Sequence, residues 1–389
     1  MSKRLAGALM MLGAAILMMA GAQGASAAKA KTVEISGRAF IFNHMSTGIS
    51  NATIKVREFP KLSATTDEFG DYRLRVPDDA NVTPYILSGG PAELVRRNMD
   101  GEQTGTMTAH WNEIDLQTFH TRGQDIENAN FQAPRDEEYN GLKALLQVYA
   151  GLETNPETGR PAECVIVTTA SARNVRDVDF RTYWLNTPHG VEGATSLEYP
   201  AIEGPIYFNE SVIPDPSQPY ASNDGGIVWP VVPAGTYRIV TSAPDARFAS
   251  FLATCKPGRI VNANPPMGAY ELSPGEKPRT FSNVAAKVTK AKAVRKGKKK
   301  RVVNVTLNSG EAIDATVRVK AGKQTVVRKP RLKPGNRTVR IAIKPRNKAK
   351  KAHVRVDLKD ASGISFRTVK KVAVPKVIKK KAKRPGKRR

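Results

Sequence analysis

The sequence predicts a mainly β protein: tandem antiparallel β-sandwiches, one helix between the first two modules and a basic, disordered C-terminal tail. Three observations predict it. Short period-two runs of apolar residues recur along most of the chain, separated by Gly-, Asp- and Pro-containing turns. Only one segment has helical spacing. The last hundred residues alternate Val, Ile or Leu with Lys and Arg, so a strand pattern continues into the most highly charged part of the chain. Hydrophobic residues make up 40% of the 389, enough for several cores.

Residues 1–28 have the layout of a secretory signal. Lys3 and Arg4 precede an uncharged apolar run from Leu5 to Ala20, and Ala25-Ser26-Ala27 is an A-x-A-like cleavage site. The alternative is an uncleaved anchor, for which the run is short. The first sandwich is expected over 33–90. Ile54 and Val56 share one face, and Asp67-Glu68-Phe69-Gly70 turns the chain into Tyr72, Leu74 and Val76, which share another. A connecting region, 91–161, follows. Within it residues 136–152 form the helix: Leu142, Leu145, Leu146 and Tyr149 lie on one face, and Asp136, Glu137 and Glu138 sit at the positive N-terminal end.

A second sandwich is expected over 162–262. It opens on Cys164-Val165-Ile166-Val167, and turns at Asp224-Gly225-Gly226 and Pro233-Ala234-Gly235 bracket its strands. An Asp- and Gly-containing turn and a Tyr-containing strand in both modules suggest a diverged duplication. Prolines followed by lysines mark 263–300 as a linker. The third, basic sandwich covers 301–375, on the runs Val303/Val305/Leu307, Val317/Val319, Val339/Ile341/Ile343 and Val354/Val356/Leu358. Residues 376–389 hold nine basic residues in fourteen and no apolar periodicity, so they are read as the tail.

The first module resembles the carboxypeptidase regulatory-like domain, a transthyretin-like (prealbumin-like) sandwich grouped with carbohydrate-binding-like folds. Ile35-Ser36-Gly37-Arg38, the run Ile49–Val56 and the run Thr66–Leu74 carry the resemblance. The second module is similar to collagen-adhesin B-type domains through Pro230-Val231-Val232-Pro233-Ala234-Gly235-Thr236-Tyr237. These resemblances imply a secreted or surface accessory protein without catalysis of its own. The Lys–Asn cross-link of collagen-adhesin relatives is not carried over, because Glu163–Thr169 has no Lys.

The formal charge of +27 hides a split. From Lys287 onward 37 basic residues face four acidic ones, a net +33, while residues 1–284 carry 25 basic and 31 acidic residues. Strand alternation turns Arg318, Lys320, Arg340, Lys344 and Arg355 outward into a continuous basic face, with Lys379, Lys380 and Lys381 adding charge from the tail. An anionic wall polymer or membrane surface is the expected partner. Nucleic acid is not expected in vivo, since export separates the two and Phe366 is the lone aromatic in the region.

The two cysteines, Cys164 and Cys255, are expected to form one disulfide in an exported chain. Five histidines occur without any H-x-H or HExxH spacing, so no metal and no cofactor are expected. Intradiol dioxygenases share a related core but need two close histidines, which this chain lacks. Tyr183, Trp184, Tyr207 and Tyr220 are candidates to stack on a sugar, Trp184 being the best exposed, while Trp229 is read as core. The expected function is therefore an exported, non-enzymatic, secreted or cell-surface protein that binds carbohydrate or a surface protein and is held on an anionic surface by its basic end. The alternatives are a metal-dependent extracellular enzyme using 107–125 and 183–223, with His110, His120 and His189 as ligands, or a purely structural stalk.

Overall fold

The computed structural model describes residues 31–377 except 177, 187, 264–266 and 298–299. The expected signal segment and Lys379, Lys380 and Lys381 fall outside the described residues. The protein is mainly β, with several antiparallel sheets and two α-helices among the described residues.

The opening strand Thr32–Ile41 pairs antiparallel with Asp71–Pro77 in unbroken register from Thr32↔Pro77 to Arg38↔Asp71. Tyr72, Leu74 and Val76 point into the core and Arg73 and Arg75 out of it, as the alternation predicted. The turn before this strand is held by Asp67, whose Oδ1 accepts the backbone N–H groups of Phe69 and Asp71. Gly70 sits there at φ +86°, with the space a Cβ would need filled by the Ala39 carbonyl.

This first module does not close at residue 90. The strands Gly89–Arg97 and Gln103–Trp111 form a hairpin on its sheet, and Phe131–Ala133 pairs parallel with the opening strand. Residues 91–135 are thus largely part of the sandwich, and the helix with the loop after it follows them. That helix, α1, spans Asp136–Ala150. Glu138 accepts the Arg135 backbone N–H at its start, and Gly151, left-handed at φ 63°, ends it.

The second module is built on the strand Cys164–Ser171, antiparallel to Gly226–Val232 and parallel to Ile260–Ala263 and Ala269–Leu272. Ile114–Asp115 pairs with Pro84–Ile86 on one side and Ile260–Ala263 on the other, so one sheet runs from the first module into the second. Tyr270, Leu272 and Phe281 are buried in the first module's core. The disulfide Cys164–Cys255 is present, and Trp229 is fully buried.

The expected linker 263–300 is corrected. It contains the strand Ala269–Leu272 and the long strand Ala286–Lys296, which pairs with Lys300–Ser309. The lysine content concealed a strand whose small residues face inward: Val288 and Ala293 are buried, while Lys290 and Lys292 are exposed. Ala286–Lys296, Lys300–Ser309 and Gly335–Ile343 form a three-stranded sheet. Gln324–Arg328, Ile313–Ala321, Lys351–Lys359 and Ser365–Ala373 form the other, to which Arg331–Leu332 adds. The two sheets close on a core made only of Ala, Val, Leu and Ile.

This third module is fastened to the second by a buried charge cluster. Arg238 donates from Nε and Nη2 to Glu311 at 2.6 and 2.7 Å, and its Nε lies 3.4 Å from Asp360. All three are almost wholly buried. The Glu311 carboxylate also accepts the Ala285 backbone N–H, and Arg238 donates to the Ser282 and Asn283 carbonyls.

Candidate functional site

A cavity of about 520 Å³ lies between α1, the end of the first sheet and the strands Cys164–Ser171 and Gly226–Val232. The volume is within the rough 300–1,000 Å³ range of small-molecule sites. Its apolar wall includes Leu142 and Leu146 of α1, Val165, Val228, Phe208 and Ile260. The helix contributes little to the core beyond this: Leu146 is its buried residue, and Tyr149, expected on the same apolar face, is 43% exposed.

The polar wall gathers side chains from distant parts of the chain. Gln132 donates to the Tyr183 hydroxyl oxygen at 3.0 Å. Tyr183 stacks on His189, ring centroids 4.3 Å apart. His189 Nε2 is 2.9 Å from the Tyr183 carbonyl oxygen, which can only accept, so this nitrogen carries the proton and Nδ1 is left as an acceptor. Burial holds the imidazole below its ordinary pKa and therefore neutral. Asn262, 6% exposed, donates to the Gln132 carbonyl, and its Oδ1 has no hydrogen-bond partner. Asp224 accepts the Gly226 N–H at 3.1 Å; burial pushes its carboxyl above the usual range, as desolvation disfavours the charged form.

The proposed aromatic platform is corrected. Tyr183 is buried in this wall, and Tyr207 is buried with its hydroxyl accepting the Ser196 N–H. Trp184, next to Tyr183 on the short helix α2 (Phe180–Leu185), is half-buried and lines a smaller cleft with Arg38, Phe69 and Arg97. Only Tyr220 of the four is exposed. Strand alternation cannot signal this grouping, because α2 follows no period-two pattern and its partners lie on strands of another module.

The polar run His110–Asp115 has a structural explanation. Arg57 bonds both Asp115 and Glu113 and stacks on the Tyr85 ring at 3.4 Å, while Arg259 lies 3.6 Å from Asp115. His110 is exposed, His120 is buried against Asn81, and His189 is at the cavity. Among the described residues no group of three or more His, Cys, Asp or Glu side chains is placed to hold a metal ion.

The basic candidates do not form one continuous face, because they belong to two sheets. Arg318 and Arg355 are direct neighbours on the five-stranded sheet, where Lys320 opposes His353. Arg355 is paired with Asp357 at 2.8 Å, and Arg367 shares that carboxylate. Arg340 lies on the outer face of the three-stranded sheet, in a row with Asn304 and Lys292, and Lys344 follows its strand. Lys290 opposes Thr306 and Lys296 opposes Lys300 on this same face. No Asp or Glu occurs in the three strands of this sheet. Its unopposed lysines come from the segment that composition marked as linker, which is why the sequence reading missed them.

No family model and no curated protein matches the chain. Solved structures give distant likenesses. OgpA from Akkermansia muciniphila is 12% identical over 30% of this chain and 38% of its own, with a TM-score of 0.19. A 1.5-MDa bacterial ice-binding adhesin is 9% identical over 89% and 99%, with a TM-score of 0.18. The Bacteroides ovatus mixed-linkage glucan protein SGBP-B is 13% identical over 87% and 65%, with a TM-score of 0.15. Scores this low carry no inference about fold or function.

Proposed function

We propose that this is an exported, non-enzymatic binding protein, held on an anionic cell surface by its C-terminal sandwich and using the cavity beneath α1 as its ligand site. The observation that carries the surface role is the acid-free outer face of the three-stranded sheet, where Lys290, Lys292, Lys296, Lys300, Arg340 and Lys344 are all exposed. Near an anionic membrane each such residue contributes on the order of 1 kcal/mol, and the attraction is screened by salt. The disulfide and the N-terminal signal layout support export. The resemblance of residues 33–78 to carboxypeptidase regulatory-like domains supports an accessory role. The half-open cavity favours a small ligand over a long glycan stacked on an open aromatic platform, since Tyr183 and Tyr207 are buried.

The test is retention of the full chain on phosphatidylserine-containing and on neutral vesicles across a salt series. Binding to anionic vesicles alone, falling steeply with salt, is expected. Replacing the six residues above with Gln lowers retention at least tenfold. A six-residue variant retained like the parent shows that this face is not the anchor.

A further inference from the structure

We infer that the cavity beneath α1 takes a small molecule with an apolar body and an ammonium head, the head lying against Asp224. The inference rests on the cavity being the ligand site and names what that site selects.

The two walls of the cavity are unlike. His189 has one acceptor nitrogen, Nδ1, once its Nε2 proton is given to the Tyr183 carbonyl. Asp224 supplies a carboxylate that forms no ion pair with any described residue, and Glu210 adds a second at the rim. The lining holds one Lys or Arg among the described residues, Lys143, and its ammonium is bonded to Asn140 Oδ1 at 2.9 Å and lies 5.2 Å from the centroid of the Tyr139 ring. The charge on this lining is thus negative, two carboxylates against one engaged lysine. A carboxylate or phosphate head would meet charge of its own sign, whereas an ammonium has three donors and the complementary sign. The opposite wall, Leu142, Leu146, Val165, Val228 and Ile260, suits an aliphatic or aromatic body. Burial of Asp224 reinforces this, because a neighbouring cation offsets the cost of keeping the carboxylate charged.

The experiment titrates the full protein with n-octylamine, n-octanol and octanoate, one body with three heads, by calorimetry at physiological salt. The chain's formal charge of +27 favours octanoate, so a preference for the amine cannot come from bulk attraction. Octylamine is expected to bind at least tenfold more tightly than octanoate, with octanol between. Asp224→Asn keeps an oxygen for the Gly226 N–H and is expected to bring the amine down to the level of octanol without lowering the melting temperature appreciably. Leu142→Trp, from the helix side, is expected to weaken all three probes. Octanoate binding as tightly as octylamine, or an unchanged amine preference in Asp224→Asn, overturns the head-group assignment and leaves the cavity as ligand site. No binding by any probe, or binding that ignores Leu142→Trp, removes the cavity itself as the ligand site; vesicle retention is scored separately from both.

Discussion

The C-terminal sandwich and the body in front of it solve the placement of charge in opposite ways. The sandwich keeps its core purely aliphatic and sends nearly every Lys and Arg to solvent. The body, with far lower charge density, buries charges at its joints: Arg57 with Asp115 and Glu113, and Arg238 with Glu311 and Asp360. High charge content therefore does not oppose a regular fold, provided that strand alternation turns the charges outward. Charge becomes structural where the outer face of a strand is itself covered. On the strand Gly235–Ser242, Arg238 alternates with Tyr237 and Ile239 of the body's own core, so it points away from that core, and its carboxylate partner Glu311 comes from the other module.

The largest expected effect tests that joint. Arg238→Ala leaves Glu311 and Asp360 buried without their cation, and removing one member of a buried ion cluster costs about 3–5 kcal/mol. Trp111, Trp184 and Trp229 all lie in the body, so tryptophan fluorescence follows the body while far-UV circular dichroism follows both parts. In urea the two probes should coincide for the parent and separate for Arg238→Ala. A loss below about 1 kcal/mol with coincident probes would mean that the joint is held elsewhere.

The next effect belongs to the body alone. The disulfide closes a 91-residue separation, and replacing Cys164 and Cys255 by Ala should cost about 3 kcal/mol, within the 2–5 kcal/mol typical of native bridges. Fluorescence should shift to lower urea while the aliphatic core of the sandwich keeps its own stability. Thiol titration of the unfolded, unreduced parent should find no free thiol.

A third test uses pH at the contact between the modules. His120 is buried with Nδ1 against Asn81, near Lys287 and its partner Asp79. Burial first, then the charge of Arg122, depress its pKa to about 4; Asp79 pulls the other way, and Lys287 and Arg238 add smaller depressions. The unfolded chain binds this proton near pH 6.5 and the folded chain only near 4. The stabilisation is therefore complete above pH 6.5 and lost as pH falls through that window, amounting to about 2 kcal/mol once partial solvent access is allowed for. Denaturation of His120→Gln between pH 7 and 4.5 should show a shallower slope than the parent; parallel slopes would remove His120 as the cause.

How much of this was legible follows the same divide. Val303/Val305/Leu307 and Val354/Val356/Leu358 are buried where alternation put them, and α1 begins at the predicted residue. The cysteine pair could be read from export and an even count. The strand Ala286–Lys296 was not legible, because its inward positions include Ala rather than large aliphatics, and a lysine-rich stretch with small residues looks like a spacer. The sheet that joins the first two modules depends on the two-residue strand Ile114–Asp115, too short to show a period. The cavity escaped for a related reason: Gln132, Asp224 and Asn262 are unremarkable singly, Tyr183 reads as a stacking surface, and only the packing of α1 and α2 on the sheet brings them together.

The smallest expected effect closes the comparison from the side of the sandwich. If its fold is carried by the aliphatic core, the outer lysines contribute nothing to it, and Lys290→Gln, Lys292→Gln and Arg340→Gln should each change stability by less than about 0.5 kcal/mol. The sign should be slightly stabilising at low salt. Lys292 and Arg340 flank Asn304 in one row, Lys290 is two positions along the strand, and no carboxylate lies among them, so each neutralisation relieves repulsion between like charges. Raising salt to 1 M shortens the Debye length to about 3 Å, and the gain should vanish. Asp357→Asn, on the other sheet, should do the reverse: it frees Arg355 and Arg367 from their shared carboxylate and costs up to about 1 kcal/mol at low salt, less when screened. Thermal melts of the four variants at two salt concentrations make the comparison. A lysine or arginine replacement that destabilises by more than 1 kcal/mol would show that the basic face is part of the fold as well as an exposed surface.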